Sequence, residues 1–152
     1  MAGITSALCT SFKVELLEGD HDFNNGADAF KVALLKANAS ITGTYNATTT
    51  NYSNVTGNSD ELPNGSGYTT GGYALTNVNP TSSGTTAFTT FSANAAWSSA
   101  TFTTRGCIIY NTSDGNSAVA VINFGADYSV SGGTFEIQWP TADSSNAIIR
   151  IA

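Results

Sequence analysis

The sequence predicts an all-β fold: a single-domain antiparallel β-sandwich of jelly-roll-like type over residues 1–152, with about eight strands and one short N-terminal helix. Three observations predict it. Most apolar residues fall in short runs that alternate with polar ones, the period of a half-buried strand. Gly, Asn and Pro separate these runs at the spacing of a sandwich or barrel. No helical pattern alternates with the strands, which argues against a parallel α/β sheet. A length of 152 residues fits one domain.

The helix is expected over Leu8–Leu17. Leu8, Phe12 and Leu16 recur at intervals of four, with Leu17 beside them and Lys13, Glu15 and Glu18 off the stripe. Thr5 or Ser6 would cap its start and Gly19 its end. Phe12–Leu16 also alternates like a strand, but the pair Leu16-Leu17 suits a helix better. The polar segment from Asp20 to Gly26 reads as a loop. Ala29–Lys36 follows as a strand with Phe30, Val32 and Leu34 on one face. Asn46–Gly72 is mostly Thr, Asn, Ser and Gly and shows no clear element; such long loops are commonly functional or mobile. Further strands are expected at Tyr73–Val78, Thr86–Phe91, Trp97–Thr103, Cys107–Tyr110, Ala118–Phe124, Thr134–Trp139 and Ile148–Ile151. Asp114-Gly115 signals a two-residue hairpin, and Ser131-Gly132-Gly133 a further turn. The isoleucine-rich C-terminal strand is expected inside a sheet.

Hydrophobic residues make up 41% of the chain and charged residues only 11%, for a formal net charge of −6. Thr, Ser and Asn take the place of the missing charge. The apolar content excludes a disordered chain. With five Lys and Arg against eleven Asp and Glu, nothing marks a surface for nucleic acid or an anionic membrane. No apolar run approaches the ~18 residues of a bilayer span. The first residues lack a basic and an apolar region, so no secretory signal is expected there. Cys9 and Cys107 lie outside any CxxC spacing, which removes zinc and thioredoxin-type readings. One disulfide is an alternative to the favoured reading, two buried thiols.

Candidate chemistry is sparse. His21, the single histidine, lies between Asp20 and Asp22. A carboxylate–histidine cluster would suit a divalent ion, but adjacent carboxylates on an extended chain point apart. The simpler reading is a solvated polar turn. Cys107 sits in an apolar run, which raises a thiol's pKa and makes it inert. A Ser–His pair has no GxSxG elbow to support it. Asp60, Glu61, Asp114, Asp127, Glu136 and Asp143 offer carboxylates for glycoside cleavage, yet no spacing singles out a pair. The Asn64–Gly72 segment lacks the lysine and following helix of a phosphate loop. Its Tyr68 suits stacking on a sugar, or, more simply, packing on a neighbouring strand. The Asn-x-Ser/Thr triplets, such as Asn38-Ala39-Ser40 and Asn111-Thr112-Ser113, are expected by chance in such a chain. No catalytic, cofactor-binding or metal-ligating residue is therefore assigned.

An ordered set of phrases carries a family resemblance. It runs from Ser11-Phe12-Lys13-Val14-Glu15-Leu16-Leu17 and His21-Asp22-Phe23 to Phe30-Lys31-Val32-Ala33-Leu34-Leu35. Gly67-Tyr68-Thr69-Thr70-Gly71-Gly72 with Leu75 follows, then Trp97-Ser98-Ser99-Ala100-Thr101-Phe102, Arg105-Gly106, Tyr110-Asn111 and the ending from Trp139 to Ile151. Across nearly its whole length the chain resembles small virion structural proteins of tailed bacteriophages, including phages of cyanobacteria.

The resemblance implies a structural role and no enzyme activity. The leading expectation is a capsid cement or decoration protein. It would bind the outer shell as a homotrimer, with the major capsid protein as partner, and stabilise the assembled lattice by mass action. Its location would be the virion, after synthesis in the host cytoplasm. The alternative is a tail, neck or fibre-attachment protein contacting other virion proteins and host glycan. A soluble carbohydrate-active or carbohydrate-binding module is the outlying third reading. The segment before Leu8 and the Asn46–Gly72 loop are the expected contact regions, as polar stretches weakly committed to the core.

Overall fold

Phe30–Lys36 is a short, largely apolar run, and it becomes an interior strand of the largest sheet. Val32, Ala33, Leu34 and Leu35 are all fully buried, so both faces of this strand are covered. The computed structural model describes residues 2–152; of the expected domain only Met1 lies outside it. The elements are β1 (Gly3–Ile4), β2 (Ala7–Leu8), α1 (Thr10–Glu18), β3 (Phe30–Lys36), β4 (Thr44–Tyr45), α2 (Ser53–Gly57), β5 (Tyr73–Ala74), β6 (Thr81–Ser83), β7 (Thr86–Thr89), β8 (Ala95–Asn111), β9 (Ser117–Ile137) and β10 (Ile149–Ile151).

The fold is all-β, with several antiparallel sheets and no barrel. A five-stranded sheet has the order β2-β9-β8-β3-β5, a three-stranded sheet the order β10-β7-β6, and β1 pairs with β4 in parallel. The larger sheets meet through aromatic side chains: Phe30 of β3 lies 6.1 Å from Phe91, just beyond β7, and stacks on Phe23 at 4.5 Å.

The longest feature departs from expectation. β8 and β9 form one hairpin of 17 and 21 residues where four shorter strands are expected. Gly106 and Gly132 do not end strands. Pairing continues past them, with Gly106 opposite Asn123 and with Thr101 and Ala100 opposite Ser131 and Gly133. Gly132, at φ +65°, sits in a β-bulge, which bends a strand without ending it. The connecting loop runs through residues 112–116, longer than a two-residue turn.

Other corrections are local. The helix starts at Thr10, because Leu8 pairs with Ala120 of β9 and Cys9 takes the N-cap position. Gly19 ends the helix in the left-handed conformation, as expected. The apolar stripe is narrow: Phe12 is buried, while Leu17 is 89% exposed. β5 keeps only the first two residues of its expected run, and β6 was not legible at all. β10 lies at a sheet edge, and its Ile151 is largely exposed. The Asn46–Gly72 segment contains α2 and buries Thr49, Val55, Leu62 and Tyr68. The N-terminal segment is also committed, through the buried Ile4 and the bond from Thr5 N–H to Tyr45 O. Neither region is a free polar arm.

Candidate functional site

The groups able to do chemistry are consecutive acids in the chain, Asp60 and Glu61, and the histidine. All three are buried. Asp60 follows α2 and is completely enclosed. Its carboxylate accepts the Thr42 N–H with both oxygens (3.0 Å each), the Gly43 N–H (2.7 Å), the Thr42 hydroxyl (3.1 Å) and the Tyr45 Oη–H (2.7 Å). Burial pushes the carboxyl up, but the bonds from Tyr45, Gly43 and Thr42 outweigh it and hold it below its ordinary value. The tyrosine is pushed up in turn, by burial and by donating to that carboxylate.

Glu61 turns to the other side. It accepts the Tyr52 hydroxyl, the Tyr68 hydroxyl (2.7 Å) and the Gly71 N–H (2.7 Å). Tyr68 Oη in turn accepts the Leu34 N–H of β3 at 3.0 Å. Tyr110 of β8 donates to Gly71 O (2.7 Å) and stacks flat on Tyr52, with ring centroids 4.3 Å apart. Burial, then the Glu61 charge, raises the Tyr110 hydroxyl to about 12 and also raises Tyr68. These phenols stay protonated donors. The network clamps the Gly65–Gly72 turn to the sheet and presents no free nucleophile. Tyr68 is 2% exposed, packed near Trp97 and Phe102, so it is unavailable for sugar stacking.

His21 is buried, where a solvated turn was expected. Its neighbours in sequence do not join it. Asp20 is exposed, and Asp22 Oδ1 accepts the Asn24 backbone and side-chain N–H groups. Instead Glu15 of α1 meets His21 Nε2 at 2.9 Å, and Asn111 of β8 meets Nδ1 at 2.9 Å. One ligand atom each from Glu15, His21 and Asp114 lies within 4.8 Å of the others, a spacing that suits a cation.

The outer hydrogen bonds argue against a metal there. Asn111 Oδ1 accepts the Ser113 and Asp114 N–H groups, so its Nδ2 must be the atom facing His21. That Nδ2 also donates to Asp28 Oδ2 at 2.8 Å. His21 Nδ1 is therefore an acceptor, and the ring proton sits on Nε2, directed at Glu15. A metal on Nε2 would move that proton to Nδ1, against the Asn111 N–H. The cluster fits a structural tie between α1, the 20–28 loop and the β8–β9 turn.

The remaining candidates are dispersed. Asp127 accepts the Asn38 N–H and sits 3.7 Å from Arg105. Glu136 meets Asn94 and Gln138 on an exposed face. Asp143 binds Asn146 and the Ser145 N–H, which hold its carboxyl below the ordinary range. No two of these acids flank an open cleft as glycoside cleavage requires. Cys9 and Cys107 are separate buried thiols; burial, then Glu15, raises Cys9 to about 11, and burial alone raises Cys107 further. A shallow cavity of about 510 Å³ is lined by hydroxyl and amide side chains between Thr44 and Asn58, without a carboxylate.

The outer half of the β8–β9 hairpin has a different character. β2 pairs with β9 only at Val121 and Ala120, and β3 reaches β8 no farther than Thr104. Beyond those points the ribbon is two-stranded. Its inner face gathers Trp97, Phe102, Phe124 and Phe135, with ring centroids 5.5–6.1 Å apart. Phe124, Tyr128, Phe135 and Ile137 line an open groove of about 250 Å³. The other edge of the ribbon is met by the Gly65–Tyr68 turn, where the Thr101 N–H donates to Ser66 O. Among the described residues no strand other than β8 pairs with β9 beyond Val121, although Asn123 is still tied to Ser6 and Ile4. The period-two pattern of Thr134–Ile137 pointed to the apolar face of this ribbon, but nothing local in the sequence marked an unpaired edge.

Compared with protein-family models, curated proteins and solved structures, the chain matches none.

Proposed function

We propose that this chain is a structural protein of a tailed-bacteriophage particle and carries no catalytic activity. Its most specific form is a capsid cement protein, bound to the major capsid protein on the outer shell as a homotrimer. It would be made in the host cytoplasm and reside in the virion. The family resemblance supplies the particle; the observation that carries an assembly role is the unpaired β9 edge. One face and the β8 edge of the ribbon are packed, but an open edge is a template for another chain. Native edges are usually blunted by Lys or Pro. Between Tyr128 and Ile137 there is neither, the sole charge is Glu136, and the bulge at Gly132 interrupts the edge at one point only.

The buried chemistry supports the same reading. Asp60, Glu61 and His21 spend their hydrogen-bonding capacity on holding loops to the sheet. A rigid plate with few charges suits repeated flat contacts between copies. One edge per copy, meeting a different surface on its neighbour, closes into a ring, which is how a trimer would arise. The finer fold reading belongs to this proposal too: the five- and three-stranded sheets would be the layers of a jelly-roll-like sandwich.

The double variant Ser131→Lys, Thr134→Lys tests the edge. Both side chains are exposed, so stability should change by no more than about 0.5 kcal/mol. Co-sedimentation with shells lacking the protein should fall to background. Binding equal to that of the unsubstituted chain would remove the edge from the account.

A further inference from the structure

The sequence contains two Asn-Gly pairs, Asn25-Gly26 and Asn64-Gly65, and the structure treats them differently. We infer that Asn25 is a site of spontaneous deamidation and that Asn64 is protected.

The chemistry needs a free backbone nitrogen after the asparagine and no side chain to obstruct it. Asn25 and Gly26 are exposed at the centre of a turn closed by the Ala27 N–H on Asn24 O at 3.0 Å. Gly26 has φ +87°, the value a type II turn requires at its third residue. Its N–H has no partner among the described residues, and neither has the Asn25 side-chain amide. At the second pair the Gly65 N–H donates to Tyr68 O at 2.8 Å, and the Tyr68 N–H donates back at 3.0 Å. Tyr68 is itself locked by Glu61, so that nitrogen is held away from attack.

In the reaction the Gly26 nitrogen gives up its proton to solvent and bonds to Asn25 Cγ. The Cγ–Nδ2 bond breaks, and Nδ2 takes a proton and leaves as ammonia. Water then opens the cyclic imide at either carbonyl, leaving aspartate or isoaspartate at position 25. No oxidant or cofactor is needed. The product matters to the fold. The Asn25 N–H donates to Asn79 Oδ1 at 2.7 Å, and Asn77 Nδ2 ties Asn24 O and Asp28 O. An isoaspartyl link adds a methylene to the main chain between these anchors, and either product adds a negative charge near Asp22 and Asp28.

The test is peptide mapping by mass spectrometry of the folded full-length chain, aged at mildly alkaline pH, with isoaspartate labelling. Position 25 should convert about tenfold faster than position 64, the factor set by having to break the hydrogen bond at Gly65 first. In concentrated urea the two rates should converge. The variant Asn25→Gln should abolish the signal at position 25 while leaving the circular dichroism spectrum unchanged. Equal rates in the folded chain, faster conversion at Asn64, or an unchanged Asn25 would overturn the inference.

Discussion

Replacing Asp60 by alanine should destabilise the fold by about 3–5 kcal/mol, measured by urea unfolding. The carboxylate is fully buried, and its loss removes the acceptor of the half-buried Gly43 N–H and of the Thr42 N–H, and leaves the buried Tyr45 hydroxyl only a long contact to Asn54 O. Each buried donor left without a partner costs roughly 1–3 kcal/mol. A domain of this size holds only about 5–15 kcal/mol in total, so the variant should be near the limit of folding. Asp60 also sets a pH dependence. Its folded-state pKa lies below the ordinary 3.8, so its contribution is complete above that value. The contribution is lost as pH falls through the depressed folded value. Asp60→Asn keeps the shape but turns an amide donor toward other donors. That variant should be less stable at neutral pH and should show a shallower loss of stability on acidification. An acid profile parallel to that of the original chain would show that Asp60 is not the group responsible.

Gly72→Ala should cost a similar amount, about 3–5 kcal/mol. Gly72 has φ +76°, and a Cβ there would overlap the carbonyl of Val32 in β3. That carbonyl belongs to the most deeply buried strand and cannot give way. The turn would lift, and the Gly71 contacts to Glu61 and Tyr110 would go with it. Gly71→Ala is the control. Gly71 has φ +94°, but its Cβ would meet only the ends of Tyr110 and Lys31 at ordinary distances, so backbone strain of about 1–2 kcal/mol is all it should show. Equal losses in the two variants would mean that conformation alone, and not the close approach to β3, sets the cost.

The all-β class and the identity of β3 were legible because period-two runs and buried apolar segments are local signals. Helix α1 was legible except at its start. Leu8 fits the helical period, but its backbone is taken by β9, a partner over a hundred residues away. The long hairpin was hidden for a related reason. Gly106 and Gly132 look like strand breaks, and only the pairing partner shows that the ladder runs past them. Buried acids were the largest omission. Low charge density directs one to place every carboxylate in solvent, whereas Asp60 and Glu61 are paid for by donors from Thr42 to Tyr45 and from Tyr52, Tyr68 and Gly71. A run of tyrosines and glycines around consecutive acids is a faint signal of such a network. His21 was read as part of a solvated turn, and its burial and its partners Glu15 and Asn111 could not be read from Asp20 and Asp22 beside it.

The most direct test of the structural-protein reading is the copy number of this chain in purified particles. Quantitative mass spectrometry against the major capsid protein would measure it. The account predicts a number close to stoichiometric with the shell; absence of the chain from particles would contradict it.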